Sequence, residues 1–91
     1  METIVSSINV GFTNCVFLNR NPKTIESIIT EKINNPEVEF LSKKPNSIKV
    51  ETIDAFHDKL SLSYDEEDIE GTITWRQSQN GKHYVFNRFE C

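Results

Sequence analysis

A complete helix signal lies in residues 21–36, NPKTIESIITEKINNP. Asn21 is a good N-cap and Pro22 suits the first helical position, whereas Pro36 cannot continue the hydrogen-bond ladder. The segment therefore predicts one amphipathic helix over residues 22–34, which we expect to pack on a sheet because a β-branched stripe makes a weak isolated helix. The stripe is formed by four isoleucines at spacings of three, four and eight: Ile25, Ile28, Ile29 and Ile33.

The residues before this helix alternate in a way that predicts strands. Ile4, Ile8 and Val10 are apolar at even positions, which is the period of a strand with one buried face. We therefore expect a strand over residues 3–10 and a second, short strand over residues 15–18. A single long strand with a bulge at the glycine between them is the open alternative.

Alternation resumes after the helix and predicts the remaining strands of the sheet. Three strands are expected at residues 37–41, 48–52 and 60–64. Residues 52–60 fit either a short helix or a bend. We favour a bend at residues 57–58, because strand parity resumes directly after it.

The end of the chain predicts a hairpin. An Asn-Gly pair at residues 80–81 is the preferred centre of a two-residue type I′ turn. If that turn sets the register, the numbers of paired residues sum to 161, so that Trp75 faces Phe86 and Thr72 faces Phe89. An aromatic pair directly opposed across a ribbon contributes about 0.2–1 kcal/mol beyond an alanine pair.

These elements together predict the fold class. Ninety-one residues suit a single domain, 1–91, with one hydrophobic core. The expected architecture is α+β: one amphipathic helix (about 22–34) packed on a mostly antiparallel sheet of five to seven strands, ending in the Asn-Gly hairpin.

The charge of the chain is distributed unevenly. Residues 51–70 contain eight acids and one lysine, which gives −7, and the other nine bases and six acids give +3 towards the net charge of −4. Five of these acids lie within six positions, 65–70, directly behind Tyr64. A local field of this size attracts cationic surfaces and repels phosphate.

This acidic run is the strongest functional signal in the sequence. Clustered carboxylates accelerate association with a basic protein and form charge-assisted hydrogen bonds to its arginines and lysines. Neighbouring aromatic residues would supply anchors of the kind found in binding hot spots. A solvated loop between strands is the alternative interpretation. The residues predicted to bind a partner are Tyr64, Asp65, Glu66, Glu67, Asp68, Glu70 and Trp75.

Catalytic and cofactor motifs are absent from the sequence. It contains no G-x-S-x-G, no H-E-x-x-H and no glycine-rich phosphate loop. The acidic run lacks the alternating ligands and central glycine of an EF-hand loop, so we expect no metal site and no cofactor. An enzyme would have to use Cys15, His57, Asp58 or His83, and their sequence positions alone do not indicate a catalytic site.

Two further alternatives remain open. The C-terminal hairpin carries bases such as Arg76 and Arg88 among aromatic residues, which suits single-stranded nucleic acid, but the negative net charge makes nucleic acid an unfavoured partner. The chain could also be a structural subunit of a homo-oligomer, a homodimer for example, that pairs through an exposed hairpin edge. No segment has the pattern of a membrane span or a signal peptide, so a cytoplasmic protein is expected.

The sequence therefore favours a small non-catalytic inhibitor that binds another protein. Its predicted partner is a basic protein, because a nuclease site must be positively charged to hold phosphate and an acidic surface can cover it. An immunity protein or antitoxin against a nuclease-like toxin fits this description, as does a phage-type inhibitor that mimics nucleic acid.

Overall fold

The structure, a computed structural model, describes residues 2–37, 40–41 and 43–91. In chain order the elements are α1 (Glu2–Gly11), β1 (Val16–Phe17), α2 (Pro22–Asn34), β2 (Ser47–Asp54), β3 (His57–Ser63), β4 (Asp68–Gln77) and β5 (Tyr84–Glu90). The strands form one antiparallel sheet in the order β1-β5-β4-β3-β2, and the two helices share its core. The α+β class, dominated by sheet, is confirmed.

Helix α2 occupies the residues predicted for it. The Asn21 side chain accepts a hydrogen bond of 2.9 Å from the backbone N–H of Lys23, which satisfies one of the free donors at the helix start. Ile25 and Ile29 are buried in the core, while Ile28 and Ile33 pack at its margin. The isoleucine stripe thus attaches α2 to the sheet as expected.

The predicted strand over residues 3–10 is wrong, because this segment is the helix α1. Ile4, Ile8 and Phe12 are four residues apart, a spacing that fits one face of a helix as well as one face of a strand. Val10 distinguishes the two, since a strand would bury it with Ile8, whereas 76% of it is exposed and Ile8 is buried. The bulged-strand alternative is wrong for the same reason.

The central strands differ from the predictions mainly in their ends. The bend favoured within residues 52–60 is present, but it lies at Ala55-Phe56, two residues before the predicted place. The strand predicted at 37–41 lies partly outside the described residues. Phe40 and Leu41 are described, and they are buried without strand structure.

Strands β4 and β5 pair antiparallel, in the predicted register near their connection. Trp75 is opposite Phe86, but the register then shifts by one residue, so that Phe89 is opposite Ile73 instead of Thr72. The predicted two-residue turn is wrong. Residues 78–83 connect the strands, and Gly81 has the positive φ of 71° at the end of a turn closed by its N–H and the Ser78 carbonyl.

Helix side chains cap the backbone at both sides of the sheet. The Asn9 amide donates to the Phe89 carbonyl and accepts from the Phe89 N–H, both at 2.9 Å, where β5 extends past the short β1. On the opposite side, a Glu26 carboxylate oxygen accepts from the Val50 N–H of β2 at 2.9 Å. These contacts satisfy strand groups that have no neighbouring strand.

Candidate protein-binding surface

The five acids predicted to bind a partner lie together at one end of the sheet. Asp65, Glu66 and Glu67 form the connection from β3 to β4, and Asp68 and Glu70 follow in the first residues of β4. All five are exposed. We call these five residues the acidic turn.

Short hydrogen bonds hold the backbone and two carboxylates of the acidic turn in place. The Asn46 side-chain amide donates to Asp65 at 2.6 Å, and the Ser63 hydroxyl donates to Asp68 at 2.9 Å. The Tyr64 N–H donates to the Glu67 carbonyl at 2.9 Å and closes the connection. The carboxylates are therefore presented by an ordered turn, which reduces the entropy lost when a partner binds.

Tyr64 lies beneath the acidic turn and belongs to the core. Its ring is buried, and its hydroxyl donates to the backbone carbonyl of Lys43 at 2.9 Å. Burial raises the pKa of the Tyr64 phenol, because the interior disfavours the charged phenolate. Tyr64 thus connects the turn to the rest of the molecule and does not project from it.

Two lysines neutralise part of the acidic turn. Lys43 lies 3.3 Å from the Glu66 carboxylate, and Lys59 lies 3.5 Å from the Glu70 carboxylate. Both pairs are exposed, so each contributes at most about 1 kcal/mol and opens easily. Five carboxylates and two ammonium groups leave a local charge of −3.

The other three acids of residues 51–70 do not contribute to this surface. Glu51 is on β2 beside Lys49, whose hydrogen bond and charge lower the pKa of the Glu51 carboxyl. Asp54 is at the β2–β3 bend, at the opposite end of β3. Its pKa is lowered by the hydrogen bond from the Phe56 N–H and then by the His57 side chain.

Asp58, the third of these acids, is fully buried and paired with Arg20. Its Oδ1 lies 2.8 Å from an Arg20 Nη, and its Oδ2 accepts from the Arg20 Nε at 3.2 Å and from the Trp75 indole N–H at 2.8 Å. The same guanidinium donates to the backbone carbonyls of Asp54, Ala55 and His57, and it lies 5.4 Å from the centre of the Tyr84 ring. No buried side-chain nitrogen or oxygen atom of Arg20, Asp58 or Trp75 lacks a hydrogen-bond partner.

The Arg20–Asp58 pair is a structural site that sequence reasoning missed. Asp58 has the same strand parity as Leu60 and Leu62, which are buried on the helix-facing side of β3. A carboxylate on the buried face of a strand requires a cationic or hydrogen-bonding partner. That parity could have predicted the burial of Asp58, although it does not identify Arg20.

The aromatic residues named for partner or nucleic-acid binding are in the core. Trp75 is 3% exposed and packs edge-on against Phe17 and Phe86, while Phe89 is also buried. Bases or partner side chains could not stack on these rings without opening the core in which they are packed. Trp75 therefore supports the fold and is not brought to the surface with the acidic turn.

The candidate catalytic side chains are not assembled into a site. Within the described residues, neither Cys15, His57 nor His83 hydrogen bonds to another of the three. His57 instead contacts Asp54 at 2.7 Å, and the Cys15 thiol faces the Gly11 carbonyl at 3.9 Å. Over the same residues, no three His, Cys, Asp or Glu side chains are arranged to hold a metal ion.

Comparisons with known proteins assign no family to this chain. Neither helix of the described structure is long and apolar enough to cross a membrane. A scan against protein-family models matched no family, and searches of curated proteins and of solved structures matched no protein.

Proposed function

We propose that this protein is a non-catalytic inhibitor that docks its acidic turn onto the basic surface of another protein. The observation that supports this proposal is the concentration of five exposed carboxylates on one hydrogen-bonded turn. The other acids of residues 51–70 are buried, paired or at the far end of β3. Among these acids, the acidic turn is therefore the group of exposed carboxylates that lie together.

The chemistry of the turn suits arginine-rich and lysine-rich sites. Carboxylates accept bidentate hydrogen bonds from guanidinium groups, and a local excess of negative charge raises the association rate. The lysines at its margin, Lys43 and Lys59, hold only exposed ion pairs, which a partner's arginine can replace. A nuclease toxin, whose site must be positively charged to hold phosphate, is the proposed class of target.

The acidic turn also differs from a protein-binding hot spot in one respect. Its predicted aromatic anchors, Tyr64 and Trp75, are buried. Binding is therefore expected to be mainly electrostatic, with fast association and a steep dependence on salt concentration.

A growth-rescue experiment tests this function. The chain is co-expressed with each of a set of cytotoxic nucleases, beside a variant that neutralises Asp65, Glu66, Glu67 and Asp68 as Asn or Gln. The matched control neutralises four exposed acids outside the turn and so has the same net charge: Glu31, Glu37, Glu51 and Glu90, all changed to Gln.

Rescue by the wild-type chain and by the matched control, but not by the acidic-turn variant, is the expected result. The proposal is contradicted if the acidic-turn variant rescues growth as well as the wild type does, because the carboxylates would then not be needed.

A further inference from the structure

Strand β2 is a long open edge of the sheet. It runs for eight residues at the end of the strand order, with β3 as its only strand neighbour in the described structure. Its residues on the face away from the helices include Lys49 and Glu51, whose side chains are 69% and 48% exposed. An edge of this length is a template for another strand.

The backbone of β2 determines which residues can accept such a strand. The Val50 N–H points away from β3, because it donates to the Glu26 carboxylate. In an antiparallel ladder, every second residue directs its backbone groups to the same side, so Ile48 and Thr52 also point outward. A symmetric antiparallel pair must therefore match outward residues of the two copies, which allows centres at Ile48, Val50 or Thr52. Centres at Lys49 or Glu51 also satisfy this condition, but there two like charges would face each other.

The charges of β2 select one of these registers. Centring on Val50 places Lys49 opposite Glu51 of the second copy, and the same pair occurs twice by symmetry. Centring on Ile48 places Lys49 opposite Ser47, and centring on Thr52 places Glu51 opposite Ile53. Opposite charges that face each other across strands stabilise the pairing, and only the Val50 register provides them.

We propose that β2 binds β2 of a second copy of this chain, antiparallel about Val50, and joins two five-stranded sheets into one. This is an isologous interface, in which the same surface serves both copies. It uses a different part of the molecule from the acidic turn and does not depend on the proposed inhibitor function.

Glu26 competes with this pairing. Its carboxylate occupies the Val50 N–H, to which the Val50 carbonyl of the second copy would bind. Lys23 lies 3.7 Å from the Glu26 carboxylate and can retain it after displacement. Glu26 therefore blocks one outward backbone N–H of the edge in the single chain, and its removal should favour the dimer.

The test is sedimentation equilibrium of the full chain over a concentration series, under reducing conditions because Cys91 is exposed. Lys49→Glu and Glu51→Lys should each raise the dimer dissociation constant by about tenfold or more, since two attractive pairs become repulsive. The double variant Lys49→Glu/Glu51→Lys restores the opposite charges and should return the constant to about the wild-type value. Arg88→Glu, an equal charge change on β5, is the control and should have little effect.

A second variant tests the role of Glu26. Glu26→Ala should lower the dissociation constant, while circular dichroism checks that the fold is intact. The proposal is overturned if the wild-type chain remains monomeric up to about 1 mM, or if the double variant dissociates as readily as the single variants. A dimer whose dissociation constant is unchanged by Lys49→Glu would use another surface, and this result would also contradict the proposal.

Discussion

The two ends of β3 both carry acids, but Asp58 and the acidic turn have opposite surroundings. At the start of β3, Asp58 is buried against Arg20 and Trp75, and the same arginine binds the backbone of the β2–β3 bend. At the β3–β4 end, the five carboxylates of the acidic turn are exposed. The same residue type therefore stabilises the fold at one end of a strand and remains free to bind a partner at the other.

The difference arises from strand parity and not from composition. Asp58 occupies a position on the buried face of β3, beside Leu60 and Leu62, so its charge must be neutralised inside the protein. The acidic turn follows the last inward residue of β3, where no apolar contact is required. Substitutions at the two ends should consequently have very different effects on stability.

The largest expected effect comes from breaking the buried pair. Asp58→Ala leaves the Arg20 guanidinium and the Trp75 N–H without their acceptor, and should lower the free energy of unfolding by about 3–5 kcal/mol. Urea unfolding followed by the fluorescence of Trp75, the single tryptophan, measures it. Glu67→Ala in the acidic turn is the control, with an expected change within about 0.5 kcal/mol. Equal losses for the two variants would remove the distinction drawn between the two ends.

A smaller loss of stability is expected when the hydrogen-bond donors of the aromatic side chains near the two connections are removed. Trp75→Phe removes a hydrogen bond to a charged acceptor and should cost about 1.5–3 kcal/mol, in addition to any cavity. Tyr64→Phe removes only the bond to the Lys43 carbonyl and should cost about 0.5–1.5 kcal/mol. Urea unfolding followed by circular dichroism compares the two. A larger loss for Tyr64→Phe would mean that the acidic turn, and not the bend, is the more firmly held connection.

Neutralising the acidic turn should leave stability unchanged or slightly increased. Changing Asp65, Glu66, Glu67 and Asp68 to Asn or Gln removes mutual repulsion but also the Lys43 ion pair, so we expect an increase of about 0–1 kcal/mol. Thermal unfolding at low and high salt measures this change, and the difference from wild type should shrink as salt screens the charges. A loss of more than about 2 kcal/mol would show that these carboxylates have a structural role.

The smallest expected effect is the loss of the Asp54 contribution to stability at low pH. The pKa of Asp54 is lower in the folded state than its ordinary value of 3.8, so its ionised form stabilises the fold at pH values above that. That contribution is lost as the pH falls through the lower, folded pKa. The stability advantage of the wild type over Asp54→Asn should therefore shrink as unfolding is measured from pH 6 down to about pH 2. An advantage that grows towards low pH would contradict the assigned direction.

The sequence predicted the parts of the fold in which independent signals agree. Helix α2 has an N-cap, a proline at its start and an apolar stripe whose spacing fits a helix. The register of Trp75 and Phe86 was also predicted, although the turn assumed for it was not. One shared register does not require one turn type, because the connection at 78–83 is longer than the predicted turn by the same number of residues on both strands. The extra residue near Asn87 then shifts the register farther along β5.

The remaining errors have physical causes. Residues 4, 8 and 12 fit the period of a helix as well as that of a strand, so the pattern does not distinguish the helix α1 from the predicted strand. The acidic turn can be recognised from the run of acidic residues in the sequence. The burial of Tyr64 and Trp75 depends instead on the tertiary packing of the core, which the sequence pattern does not specify. Arg20 was missed because its acceptors, Asp58 and the bend carbonyls, lie more than thirty positions away in the sequence.

The most direct test is a nuclear magnetic resonance titration of the ¹⁵N-labelled chain with an octa-arginine peptide. We expect the amide shifts to concentrate at residues 64–70 and to disappear in the variant that neutralises Asp65, Glu66, Glu67 and Asp68, while the control that neutralises Glu31, Glu37, Glu51 and Glu90 retains them. Shifts scattered over the surface, or equal responses from the two variants, would contradict the claim that the acidic turn is where this protein binds a cationic partner.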